Sequence, residues 1–136
     1  MELFYRLRAG VTLLAIFLNT LLLVCVLYVF TLLKLILPFA VVRRPINRIL
    51  ALIAELWHGI NNCAIHLFSR VKLEISGNDN LDYRSWYLVT ANHQSWADIL
   101  ILEMTFNRRI PLLKFFLKQE LIKVPLLGLA WWALDF

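Results

Sequence analysis

Apolar and polar positions divide the chain into stretches with different periods. Residues 9–33 (AGVTLLAIFLNTLLLVCVLYVFTLL) contain no charged side chain. As a helix at ~1.5 Å per residue they would extend about 37 Å, enough to cross a hydrocarbon core of ~30 Å with some tilt. A second apolar piece, residues 35–42 (LILPFAVV), holds the breaker Pro38 and is too short to cross alone. It reads either as an extension of the first helix or as the return leg of a shallow hairpin. After Pro45, apolar residues at Ile46, Ile49, Leu50, Ile53, Leu56, Trp57 and Ile60 follow the spacing of an amphipathic helix. Asn47, Arg48, Glu55, His58 and Asn61 occupy its other face. Such a helix either lies in the membrane interface or packs against the rest of the protein.

The period then becomes two. Val71, Leu73 and Ile75 alternate with Lys72 and Glu74, the pattern of a half-buried strand, and the turn-rich residues 76–82 (SGNDNLD) end it. Residues 86–91 (WYLVTA) form a continuous β-prone run, as expected of a strand buried on both faces. A helix is expected from about Ala97 to Phe106, a turn at 107–111 and a strand at 112–117. Strand, helix and strand in that order predict a right-handed βαβ unit and hence an α/β fold class. Residues 119–136 predict a short helix, a break at Val124 and Pro125, and a second, very apolar helix with Trp131 and Trp132. The expected organisation is a membrane anchor at 1–42, an amphipathic linker helix at 43–69, and the first half of an incomplete α/β domain at 70–136.

Composition narrows the class. Of 136 residues, 61% are apolar and 17% charged, whereas soluble domains average roughly 45–50% and about 25%. This excludes a freely soluble globule, and it excludes a disordered chain, which needs low hydrophobicity and high charge. A cleaved signal peptide is disfavoured because the apolar run far exceeds a signal core of ~7–15 residues. The net charge of +5 comes without the long basic run of a nucleic-acid patch, so an anionic lipid surface is the expected partner and nucleic acid is not. Arg6 and Arg8 precede the apolar span, and Lys34, Arg43, Arg44 and Arg48 follow it, which favours a cytoplasmic C-terminal portion. Cys25 and Cys63 make no disulfide framework. His58, Cys63 and His66 invite a metal reading, but on a helix His58 and Cys63 point about 140° apart and a fourth ligand is missing, so no metal is expected.

The chemistry-bearing residues stand between the run at 86–91 and the helix after it: Asn92, His93, Gln94, Ser95, Trp96, Ala97, Asp98. A histidine acting as a base near neutral pH needs a carboxylate on its other ring nitrogen, to fix the tautomer and stabilise the imidazolium. Inside one helix, residues five apart diverge by about 140°. Across a strand-to-helix turn, with His93 before the helix and Asp98 in its first turn, the two side chains can meet. The C-terminal end of such a strand is also where α/β folds place ligands. Ser95-x-x-Asp98 has the spacing of a capping box as well, which gives Asp98 a purely structural alternative; for His93 the alternative is an ordinary turn histidine.

N-H-x-x-x-x-D after an apolar run, behind a hydrophobic anchor, resembles the first block of the glycerolipid acyltransferases, typified by lysophosphatidic acid acyltransferase. The wording NHQSWADILIL and KFFLKQELIKVPLLGLAWWALDF is most similar to the bacterial inner-membrane members, over residues 86–136. The resemblance implies that His93 is the general base on the free hydroxyl of a lysophospholipid, 1-acyl-sn-glycerol-3-phosphate above all, and that Asp98 orients it. The hydroxyl oxygen would attack the thioester of acyl-CoA or acyl-carrier protein directly, with no acyl-enzyme and no cofactor besides the acyl donor. It implies an inner-membrane location with the catalytic part on the cytoplasmic side. In the family's second block a lysine precedes Glu-Leu, then Pro and Gly. Lys118, Glu120, Leu121, Pro125 and Gly128 match, and Lys118 would help hold the acceptor's phosphate, with headgroup contact as its alternative. The family's following Phe-Pro-Glu-Gly-Thr-Arg block has no counterpart here, so the resemblance implies the N-terminal part of a longer enzyme, inactive by itself. From another class, a small non-enzymatic membrane protein binding a partner or anionic lipid through its basic face is the competing expectation. A hydrolase using the same His–Asp pair ranks third.

Overall fold

The computed structural model describes residues 2–37, 39–69, 72–77, 79–92 and 94–136. Helix accounts for 67% of it: α1 (Glu2–Ile36), α2 (Ala40–Phe68), α3 (Trp96–Phe106), a 3₁₀ helix (Gln119–Lys123) and α4 (Leu127–Ala133). Among the described residues there is no β-strand, which corrects the expectation of an α/β fold with a strand-helix-strand unit. The fold class of the described chain is all-α. Residues 72–76, 86–92 and 112–118 carry no regular structure, and Val71 lies outside the described residues. The physical reason is that alternation and β-branched side chains set only a local preference, whereas a strand exists through a ladder to another strand. Trp86 at 94%, Leu88 at 83% and Phe116 at 101% exposure are not enclosed between layers. Helices close their hydrogen bonds within a turn, and α3 and α4 form where the pattern places them.

Chain contacts define two compact units, Met1–Ile16 with His58–Leu113 and Phe17–Trp57 with Lys114–Phe136. In the second unit α1 and α2 pair as an antiparallel hairpin. Asn19 Nδ2 donates to the Trp57 carbonyl (3.1 Å), and the Trp57 indole donates to Thr20 Oγ1 (2.9 Å). Farther along, Leu27 packs with Ile46 and Leu50. Of the apolar face expected after Pro45, Ile46 and Leu50 are buried in this core and Ile53 packs against it, whereas Leu56 and Ile60 are exposed and Glu55 and Asn61, expected on the polar face, are buried. Residues 35–36 close α1 and 40–42 open α2, so the apolar piece at 35–42 is the corner of this hairpin; its Pro38 lies outside the described residues. The inner face of α1 mixes polar and apolar residues: Asn19, Thr31 and Lys34 are buried along with Leu23, Val24 and Leu27, while Phe17, Leu21, Leu22, Val29 and Leu32 are exposed. Among the described residues α1 is the one helix long and apolar enough to cross a membrane.

α4 joins the same core through Ala130 and Ala133. The buried Lys34 ammonium donates to the Ala133 carbonyl (2.8 Å) and to Asp135 Oδ1 (2.7 Å), and Asn47 Nδ2 donates to Asp135 Oδ2 (3.0 Å). Tyr28 Oη donates to the Leu126 carbonyl. Gly128 is required by close approach, because a Cβ there would fall 1.7 Å from the Ile122 carbonyl oxygen.

In the first unit, Arg8 of α1 caps the end of α2 by donating to the carbonyls of Phe68 (2.8 Å) and Leu67 (3.5 Å), which α2 itself leaves unpaired. α3 ends as expected in a turn, where the Asn107 N–H donates to the Glu103 carbonyl (2.9 Å) and Arg108 takes φ 61°.

Candidate functional site

Ser95 is the N-cap of α3, its backbone extended at φ −153° and ψ 162°, so the chain enters the helix at Trp96. Asp98 then sits in the first turn. Its Oδ2 accepts the backbone N–H groups of Gln94 (2.6 Å) and Ser95 (2.7 Å), and its Oδ1 lies 3.4 Å from Ser95 Oγ. These N–H groups precede the first helical hydrogen bond, and the helix N-terminus favours an anion there. The acidic half of the capping box is therefore formed. The same contacts place a carboxylate on the backbone of the two residues that follow His93 in the chain; His93 itself lies outside the described residues.

Lys118 is the N-cap of the 3₁₀ helix; its carbonyl accepts the Leu121 N–H (2.9 Å), and it is exposed. It belongs to the second unit and Asp98 to the first. Of the other residues of the second block, Glu120 and Pro125 are exposed and Gly128 is buried. Among the described residues no three His, Cys, Asp or Glu side chains gather as a metal-binding group.

A second polar contact joins α3 to α2. His58 Nε2 of α2 and Glu103 Oε2 of α3 are 3.2 Å apart, with 12% and 6% of their side chains exposed. Burial pushes the Glu103 carboxyl up to about 8 from 4.5, and pushes the His58 imidazole down to about 4 from 6.5. Burial thus disfavours the charged form of each group, and the two atoms stand at hydrogen-bonding distance. In the sequence His58 reads as a polar residue of the amphipathic helix, with a disfavoured metal reading beside it, and Glu103 carries no role. The signal that would have found the pair is a single carboxylate in the otherwise uncharged run 99–107 (ILILEMTFN), because a buried carboxyl group demands a partner.

The family whose model matches residues 72–136 is described as Acyltransferase. That stretch, which includes Asp98, Glu103 and Lys118, is similar to the glycerolipid acyltransferase family. No curated protein and no solved structure matches the chain at a significant level. The match supports acyltransferase activity in general terms.

Proposed function

We propose that this chain carries the base-bearing part of a membrane-attached acyltransferase of phospholipid biosynthesis, which acylates the free hydroxyl of a lysophospholipid, foremost 1-acyl-sn-glycerol-3-phosphate. His93 takes the hydroxyl proton as the oxygen attacks the thioester carbonyl of acyl-CoA or acyl-carrier protein. The C–S bond breaks, the thiolate leaves, and the imidazolium returns the proton to sulfur. An ester and a free thiol result, with no covalent enzyme intermediate and no further cofactor. Asp98 Oδ1 is assigned to the second ring nitrogen of His93, and Lys118 to the acceptor's phosphate. The acceptor and the surrounding membrane lipids are the partners, at the cytoplasmic side of the inner membrane.

One observation carries this reading. Within the family-matched stretch, the Asp98 carboxylate is fastened by two N–H donors to Gln94 and Ser95, directly beside the histidine in the chain. The exposed leucines of α1 support attachment to a bilayer. The test is His93→Ala in the intact enzyme in native membranes, assayed for transfer from acyl-CoA and from acyl-carrier protein. Loss of a general base removes about 10²–10⁴-fold of rate, and membrane insertion is expected to survive. Wild-type turnover by His93→Ala would overturn the assignment.

A further inference from the structure

α3 is apolar around most of its circumference. At ~100° per residue, Ala97, Ile99, Leu100, Ile101, Leu102, Met104 and Phe106 are spread around the helix, with Asp98 and Thr105 in one gap and Glu103 in another, so apolar packing alone chooses weakly which face turns inward. The burial pattern identifies the inward face. Glu103 is 5% exposed, whereas Leu100 and Ile101 are 37% and 42% exposed. The inward face is the one that carries the carboxyl group, and it meets His58 of α2 with Nε2 and Oε2 3.2 Å apart. The two helices also touch beside the pair, where a Cβ on Gly59 would lie 3.6 Å from Asn107 Nδ2. A buried polar pair of this kind fixes register where interchangeable apolar contacts do not.

We propose that the His58–Glu103 hydrogen bond is a positioning device for acyl transfer, which sets the rotation of α3 about its own axis and thereby the placement of Asp98 and of the backbone at Gln94 and Ser95. Asp98 and Glu103 stand about 140° apart around the same helix. A side-chain tip lies roughly 5–6 Å from the helix axis, so a rotation of about 20° carries the Asp98 carboxylate by about 2 Å. A shift of ~1 Å in a reacting geometry costs on the order of 10²-fold in rate. The proposal rests on the assignment of His93 as the base, and neither His58 nor Glu103 is given contact with substrate.

The experiment compares kcat and KM for the intact enzyme with three substitutions beside His93→Ala. Glu103→Gln keeps a neutral donor to His58 and is expected to hold kcat within about twofold. The double variant His58→Leu with Glu103→Met removes both members of the pair, so neither is left buried against the other's apolar replacement, and it is expected to fold with a thermal midpoint near wild type. Its kcat is expected to fall about tenfold or more at nearly unchanged KM. His58→Phe, which removes only the acceptor, must show the same split, so the test stands on whichever of the two folds. Wild-type kcat in a folded variant lacking the bond overturns the proposal, as does a Glu103→Gln loss as large as that of the double variant. If His93→Ala remains active, the acyltransferase assignment falls and takes the positioning role with it. If His93→Ala is dead while the double variant is fully active, only the positioning role falls.

Discussion

At Asp98 one carboxylate serves both as a helix cap and as the group assigned to His93, and the two roles separate by magnitude. Asp98→Asn keeps the shape but weakens the hold on Gln94 and Ser95, so it should cost α3 about 1 kcal/mol in thermal unfolding. Acyl transfer should fall by about 10²-fold or more; losses confined to stability would reduce Asp98 to a cap. The His58–Glu103 pair makes a pH prediction of its own. Because the Glu103 pKa is raised from 4.5 to about 8, the folded state keeps a proton that the unfolded state has lost, and stability declines as pH climbs through that interval. Because the His58 pKa is lowered from 6.5 to about 4, the unfolded state binds a proton that the folded state lacks, and stability declines as pH drops through that interval. The two slopes cancel between 4.5 and 6.5. The net loss falls between 6.5 and about 8 and amounts to about 2 kcal/mol. Denaturant unfolding across this range should show that loss in the wild type and its absence in Glu103→Gln. The spacing Ser95-x-x-Asp98 made the cap legible in the sequence because a cap is local. The Glu103 partner was not legible, since His58 lies in another helix and nothing in the residue order joins them.

Among the elements, those that satisfy their own backbone were legible and those that need a distant partner were not. The helix at 96–106, the turn after it and the break at Pro125 stand as the pattern predicts. The runs around Trp86 and Phe116 have the composition of strands but no ladder among the described residues. The docking of α4 also escaped the pattern, because it depends on Lys34, a residue that reads as a flanking charge of the span. That contact yields a contrast. Removing Asp135 deprives a buried ammonium of its charged acceptor, and Asp135→Ala should cost about 2 kcal/mol. Lys34→Met replaces the buried charge with an apolar chain of similar length and should change stability by no more than about 1 kcal/mol. Unfolding of both variants in detergent tests this, and equal losses would contradict it.

For the molecule as a whole, the proposed attachment to a bilayer predicts how the chain fractionates. It should sediment with membranes, remain there through high salt and alkaline carbonate, and be released by detergent, because over the uncharged residues 9–33 of α1 the outward face carries leucines and Phe17. Release by salt alone would rule out insertion of α1. The inward polar stripe of α1 makes this helix different from a generic tether. Asn19, Thr20 and Lys34 each bond to a residue outside α1, so their partners are fixed by sequence and not merely by hydropathy. A grafted leucine-rich helix of equal length would still hold the chain on the membrane, yet it would leave Trp57 and the α4 segment without their polar contacts. The anchor is therefore not an interchangeable part: its inner face is a template on which the rest of its unit is assembled, and swapping it should cost folding while sparing localisation.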